Sequence, residues 1–573
     1  MYSTIKNVQI LVALLKEHNI RRIVISPGGN NIPVIHSLDT DPDFLCYSVV
    51  DERSAAYFAM GLAQESKEVV ALVCTSGTAV SNYLPGLTEA KYQRVPLVVI
   101  TSDRSPYLLH QLETQKINQI GIFGEICKKE VDLPVVKSSD DEWYCCRLIN
   151  EAIVYATHRG CGPVHINVPT TGDSSDYSCT QLPNVSPMRI LTSEDMTEET
   201  AKVYSTAINS ARKVMLVFGE NFIYPSNELT NRINEFCDKT KAVCLADSMS
   251  NIPEVKSIFS YRITESIIES DFEEMLPDLV ITLGNNILSN TLKNYLRHHH
   301  ATLHHWSVDD AGEVRDVFKS LRCVFDCRTI NFFKWINPFL ESRKDNSGYL
   351  DKWLNEYEKS RIDIDEYSSL KVVSDMVKRI PEDSLVHLAI LNSTRIFHLT
   401  NEQHHLKVYS NIGALGIDGC MSSFIGQSFA TDKLCFLIIG DLSFFYDMNS
   451  LGIQGVRSNV RILLLNNGGG SEFHFNMGKK NVPTLNQFIS VEHAKTAKGW
   501  IESLGFNYYS VNNSAELSNL DYLVKKSDKP VIVEVFTDME KDAEIIKAAY
   551  ENNRYSRSAS GRLKGALLNI LRK

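Results

Sequence analysis

Two residues able to hold a hard cation stand at the ends of short apolar runs. KLCFLIIG leads into Asp441, and VRILLL leads into Asn466 and Asn467, followed by Gly468, Gly469 and Gly470. Asp and Asn supply oxygen ligands, and Mg²⁺ is commonly held by one or two such groups together with the phosphates of a substrate or cofactor. Glycines let the backbone approach a diphosphate closely. The chemistry suggested is a phosphate-and-Mg²⁺ crevice, which requires the two runs to be neighbouring strands. Both are rich in Leu and Ile without alternation, as suits strands buried on both faces of a parallel sheet. A right-handed crossover places such strands side by side, so Asp441 and Asn467, 26 positions apart, can meet beyond their carboxyl ends, where open α/β sheets bind ligands. Read alone, the stretch also fits a βαβ unit ending in ordinary turns.

The same pattern recurs from Arg21 onward. RRIVISPGG, FLCYSVVDE, EVVALVCTSG and VPLVVITSD read as strands, with helical stretches such as RSAAYFAMGLAQES between them. Glu52 sits at one strand end just before a helix, where a first-turn carboxylate also favours the helix dipole. Residues 171–198 are polar and interrupted by Pro, which predicts a linker. VMLVFGE, AVCLADS, DLVITLG and TLHHWSVDD then begin a second domain. No GxGxxG supports a dinucleotide there. His298, His299, His300, His304 and His305 lack an acidic or Cys partner at ligand spacing and read as a solvated helix end rather than a metal site. A second polar linker, 342–367, precedes the third domain. The expected fold is α/β, with three doubly wound parallel-sheet domains over 1–180, 195–340 and 368–573.

At 573 residues and 43% hydrophobic, the chain is too long for one ordinary core. A formal charge of −10 argues against a general nucleic-acid binder. MYSTIKNVQILVALLKEHNI has apolar residues at helical spacing and a Lys within it, so it reads as a folded amphipathic helix rather than a signal peptide. Apolar stretches are too short to predict a membrane span. The 13 cysteines include no CxxC pair, consistent with free thiols in a reducing cytoplasm. The basic tail, 552–573, reads as a helix packing on its own protein or a partner, with a membrane surface as the alternative.

GDLS, followed after a second strand by NN, resembles the signature of thiamine diphosphate (ThDP) enzymes of the pyruvate-oxidase-like superfamily. Within it, GDLS, YDMN and NNGGG are similar to segments of the 2-succinyl-5-enolpyruvyl-6-hydroxy-3-cyclohexene-1-carboxylate (SEPHCHC) synthase family. The resemblance implies that Asp441, Asn467 and the Gly469 carbonyl hold Mg²⁺, with Gly440, Leu442, Ser443 and Phe473 beside the cofactor. DERSA matches the family's segment, which implies that Glu52 hydrogen-bonds N1′ of the aminopyrimidine and is catalytic. CTSGTAVSNYLPG places Gly77, Thr78 and Asn82 near ThDP by the same resemblance; from the residues alone, Ser76 or Thr78 is a helix cap and Asn82 inert. LNSTRIF and SNIGALGIDG place Asn392 and Ser393 along the cofactor and Ile417 beneath it, although Ile417 also suits a core position beside a turn. TSDRSP and TQKINQIGIFG imply that Arg104 and Gln115 face the substrate; alone, they read equally well as a solvated Arg and a loop Gln. The family further implies a 2-oxo acid donor, an acceptor, and a homodimer or homotetramer with active sites at the subunit interface.

The likeness gives out at the substrate positions. The family's PGSRST is PGGNNI here, so its Ser and Arg become Gly29 and Asn30, followed by Asn31. The Arg of GNSxxxR falls on Phe397, the Arg of SNRGASG on Ile412 and a pocket Lys on Asn290, while an apolar residue near the cofactor becomes Glu472. In the family those cations grip the carboxylates of 2-oxoglutarate and isochorismate, and each lost charge-assisted hydrogen bond removes about 1.5–3 kcal/mol. The expectation is retained cofactor chemistry with a small 2-oxo acid donor and a less anionic acceptor. Asn30, Asn31 and Asn290 would suit hydroxyl groups, as in a sugar derivative. Residues 471–480 read as a lid, either carrying Glu472, His474 or Lys479 as acid–base or selectivity groups or contributing no catalytic side chain. The alternatives are SEPHCHC synthase itself, with Arg395 or Lys293 supplying the cations, a simple decarboxylase, or a non-catalytic ThDP-binding paralogue.

Overall fold

Strands rich in Val, Ile and Leu assemble into three six-stranded parallel sheets. The computed structural model describes residues 1–172, 175–188, 196–344, 348–362, 364–476 and 482–555. Edge to edge, the first sheet runs Leu45–Ser48, Arg22–Ile25, Val70–Cys74, Leu97–Asp103, Val164–Pro169, Glu130–Asp132. The third repeats that order with Lys407–Ser410, Leu385–Leu388, Cys435–Gly440, Val460–Asn466, Val531–Phe536 and Asn507–Val511. The middle sheet differs, running Leu321–Phe325, His304–Val308, Leu279–Leu283, Val214–Phe218, Val243–Ala246, Ile258–Phe259. The α/β expectation with three doubly wound sheets therefore holds. Central strands such as Val70–Cys74 and Val460–Asn466 are buried at every residue, the first wholly apolar and the second carrying Arg461 and Asn466 about an apolar run.

The chain divides into two compact units, one of Met1–Thr192, Asn411–Lys433 and Ser443–Val460, the other of Ser193–Ser410, Leu434–Leu442 and Arg461–Lys573. In the first unit, the helix Lys6–Glu17 buries Val8, Leu11 and Leu15 with Ile149 and Ala152 in a core built on Ile23, Val98 and Ile166. The helix Glu52–Ser66 is capped by Asp51, whose carboxylate accepts from Ser54 N–H at 3.2 Å, and ends at Lys67 in the left-handed conformation. It lies against the helix Cys420–Phe429. Glycine makes this approach possible: a Cβ on Gly61 would stand 1.9 Å from the Ser423 carbonyl, and one on Gly426 2.1 Å from that of Phe58.

One sequence reading is corrected here. His305 is not at a solvated helix end: the helix Asn290–His298 stops earlier, and His305 is fully buried within the strand His304–Val308. Its Nε2 bonds to Thr282 Oγ1 at 2.9 Å, and burial pushes the imidazole down to about 4. No helix among the described residues is long and apolar enough to cross a membrane. The basic tail lies outside the described residues from 556 onward.

Candidate functional site

The crevice expected at the third sheet is formed by neighbouring strands. Cys435–Gly440 lies beside Val460–Asn466, and Asp441 and Asn467 follow their carboxyl ends. Asp441 is buried. Its Oδ2 accepts from the N–H groups of Gly468 (2.9 Å) and Gly469 (3.0 Å), and its Oδ1 from Leu442 N–H (2.6 Å). Gly468 and Gly469 both have positive φ, +82° and +152°, and a Cβ on Gly469 would stand 2.6 Å from the Ser490 carbonyl, so this turn depends on glycine. Burial raises the Asp441 carboxyl to about 6 against those N–H donors, a state that a bound cation would reverse.

Asn467 supplies the decisive observation. Its Nδ2 donates to Ser471 Oγ (3.1 Å) and Asp542 Oδ2 (3.3 Å), which leaves Oδ1 buried without a hydrogen-bond partner. A buried orphan acceptor next to the amide that Asp441 holds suits an oxygen-liganded cation. The Gly469 carbonyl accepts from Ser471 N–H at 3.1 Å and keeps a second lone pair. Carboxylate, amide and carbonyl oxygens together fit Mg²⁺ on a diphosphate.

Around it, Gly440 has open space at its Cβ, Leu442 and Phe473 are half-buried, and Ser393 is buried. Asn392 opens the helix Asn392–Thr400 and donates through Nδ2 to Ser471 Oγ at 2.8 Å. The preceding Leu391 has φ +65°, a sparsely populated backbone conformation that costs a non-Gly residue about 1–3 kcal/mol. Phe397 is fully buried, so its position is core. Arg395, on the same helix, pairs with Glu472. His474 is buried with Nε2 unbonded. Asn290 is exposed at a helix start capped by Ser289, burial lowers the Lys293 ammonium, and Lys479 lies outside the described residues.

In the first unit, Glu52 begins its helix half-buried. Burial raises its carboxyl above the usual range, with the Asp51 charge adding, while its own helix-end N–H opposes. A carboxyl whose neutral form is favoured in this way is suited to holding a proton against a base. The PGGNN loop is tied to the next strand end. Gly28 packs so closely that a Cβ would stand 2.3 Å from the Thr75 side chain; Asn30 N–H donates to Thr75 Oγ1 (3.2 Å) and Asn30 Nδ2 to Ser76 Oγ. Gly29 is exposed and faces open space. Asn31 is fully buried and gives its Nδ2 to the Ser26 carbonyl at 2.8 Å. Gly77, φ +84°, caps the helix Thr78–Asn82 without a side-chain bond, so neither Ser76 nor Thr78 serves as the cap; Thr78 and Asn82 are exposed. Arg104 pairs with Glu113 at 2.8 Å, and Gln115 is exposed with φ +54°. Ile412 is buried, while Ile417 is half-buried and its carbonyl accepts from Ser443 Oγ at 2.7 Å.

Three groups escaped the sequence reading. Gln119, fully buried, accepts from Gly77 N–H at 3.2 Å through Oε1 and donates to Asn167 Oδ1 at 2.9 Å. Glu89, also buried, accepts from Gly413 and Ala414 N–H, both at 2.8 Å, which fixes the backbone following Ile412. Asp542 receives Asn467. The signal for Glu89 in the sequence is an acid between the apolar Leu87 and Ala90 of the helical stretch LPGLTEAKY.

Residues 5–122 match the model of the family described as thiamine pyrophosphate enzyme, N-terminal TPP binding domain, thiamine pyrophosphate being another name for ThDP. SEPHCHC synthase of Bacteroides thetaiotaomicron is 37% identical over 561 residues, covering 96% of this chain and 99% of the relative. The synthases of Flavobacterium johnsoniae and Porphyromonas gingivalis are each 30% identical, covering 96% of this chain and 99% and 97% of their own. With this likeness running almost end to end, the chain belongs to the ThDP-dependent enzyme family, in the branch of the SEPHCHC synthases.

Proposed function

We propose that this protein is a ThDP- and Mg²⁺-dependent carboligase that decarboxylates a small 2-oxo acid and transfers the remaining acyl unit to an acceptor, with substrates other than those in the name of its relatives. In the reaction, the C1–C2 bond of the donor breaks, C1 leaves as CO₂, and the electron pair kept by C2 forms the new bond to an acceptor carbon. When bound, ThDP supplies the electron sink. Asp441, Asn467 and the Gly469 carbonyl would hold Mg²⁺ against its diphosphate, and Glu52 would hold or move the proton at N1′ of its pyrimidine. Gly77, Thr78, Asn82, Asn392, Ser393 and Ile417 would bind and orient it. Residues 1–180 would form the pyrimidine-side domain, 195–340 the central domain and 368–573 the diphosphate-side domain. By the superfamily's arrangement the protein acts as a homodimer or homotetramer in the cytoplasm, with sites shared between subunits.

The observation carrying the substrate assignment is the character of the family's cation positions: Phe397 and Ile412 are buried apolar side chains, and nearby Arg395 is already paired with Glu472. Neither Phe397 nor Ile412 offers a guanidinium to a dicarboxylate donor. The second reading, SEPHCHC synthase itself, is supported by near full-length likeness to enzymes of that name. Incubation with ThDP, Mg²⁺ and pyruvate, 2-oxobutyrate or 2-oxoglutarate, with and without isochorismate, separates them by CO₂ release. Turnover of the monocarboxylate donors is expected; turnover of 2-oxoglutarate with isochorismate alone selects the second reading.

A further inference from the structure

A half-buried ion pair stands in the same hydrogen-bonded cluster as Asn467. Arg395, on the helix Asn392–Thr400, donates through Nη1 to Glu472 on the helix Ser471–Asn476, and through the same nitrogen to Asn392 Oδ1 at 3.3 Å. Asn392 Nδ2 donates to Ser471 Oγ at 2.8 Å, and that oxygen also accepts from Asn467 Nδ2 at 3.1 Å. The pair is thus joined to Asn467 through two side chains. The guanidinium lies over the Phe475 ring, 5.9 Å from its centre, and within electrostatic reach of the Tyr261 and Tyr550 hydroxyls, which stand 3.3 Å apart. The side chains of Arg395 and Glu472 are only 25% and 12% exposed.

We infer that Glu472 is a built-in counter-carboxylate that makes the Arg395 pair a charge filter: it admits 2-oxo acids whose far end is neutral or hydroxylated and refuses those carrying a second carboxylate. The inference deepens the proposed function and rests on the crevice being the ThDP site. A desolvated cation must be paired, and here the partner belongs to the chain itself. A substrate carboxylate approaching Arg395 meets Glu472 as a like charge, a juxtaposition that opposes binding. Removing the Glu472 charge leaves a guanidinium whose planar fork matches an incoming carboxylate. Glu472 is accordingly a specificity-determining residue acting through charge.

The test uses the full-length protein loaded with ThDP and Mg²⁺, titrated calorimetrically with glutarate and with butyrate, which cannot react, alongside kcat/KM for 2-oxobutyrate and 2-oxoglutarate. Glu472→Gln should bind glutarate at least about tenfold more tightly than the wild type, with butyrate within about twofold, and should shift the kcat/KM ratio toward 2-oxoglutarate by a similar factor. Adding Arg395→Met should abolish the gain. Glu472→Ser removes the same charge and serves if Glu472→Gln does not fold. Equal glutarate affinity in the wild type and the charge-removed variant overturns the inference, as does a gain that survives Arg395→Met. The binding readout is independent of turnover. A wild type that binds ThDP yet consumes no 2-oxo acid therefore contradicts the proposed function, while glutarate binding still decides the filter.

Discussion

Within the second unit, the strand-end turn at Asp441 and Asn467 and the helix face at Arg395 and Phe397 are held together in different ways. The turn is held by backbone: two glycine N–H groups grip Asp441, and Gly469 admits no side chain. The helix face is made of side chains, and there Phe397 is core while Arg395 and Glu472 pair with each other. A turn that needs glycine tolerates few substitutions, whereas a face built from side chains can be altered without moving a strand.

Breaking the turn should have the largest effect. Asp441→Ala is expected to abolish activity and the stabilisation by ThDP with Mg²⁺, which for a ligand at a hundred times its Kd is about 2.7 kcal/mol. Thermal unfolding with and without both ligands measures it, and an unchanged ligand-induced shift contradicts the assignment. Glu52→Gln should keep that shift and lose roughly 10²–10⁴-fold in kcat, the range for an acid–base group; equal loss of cofactor affinity would make Glu52 a binding group instead. Phe397→Arg, which restores the family's residue type, should destabilise the fold by about 3–5 kcal/mol in urea unfolding, as an uncompensated buried charge does. A fully stable variant with improved 2-oxoglutarate binding would show that the helix face is still a dicarboxylate pocket.

The last prediction concerns the first unit's frame, where no effect on the substrate is expected. Asp447, fully buried, accepts from Ser422 N–H and Oγ, both at 2.7 Å; burial raises its carboxyl to about 7, Asp51 adds, and Arg53 opposes. The folded state therefore keeps a proton that the unfolded chain releases near pH 4. This group's contribution to stability is fully present below that pH and is lost as pH rises through about 7. Asp447→Asn should flatten the unfolding free energy between pH 4 and 7 while leaving the donor preference unchanged. A changed preference would tie the frame to selection.

Much of this was legible in the residues. Unbroken Leu and Ile runs announced buried parallel strands, and their abrupt polar ends marked Asp441 and Asn467 because a strand delivers its last side chain to a predictable place. What could not be read was pairing across distance. Arg395 and Glu472 are 77 positions apart, and Glu89 meets the Gly413 N–H across 324; no local periodicity encodes either contact. His305 was misplaced because a run of histidines masks the change from helix end to buried strand. Asn31 looked available for hydroxyl recognition, yet its Nδ2 is spent on the Ser26 carbonyl within the core.

The central claim is that the cofactor turn is kept while the dicarboxylate site is closed by internal charge pairing and apolar burial. CO₂ release from 2-oxobutyrate and from 2-oxoglutarate, measured side by side with the holoenzyme as kcat/KM, tests it most directly. The account predicts a preference for 2-oxobutyrate of at least about tenfold, the value of one unfavourable charge contact of about 1.4 kcal/mol. A preference for 2-oxoglutarate would contradict it.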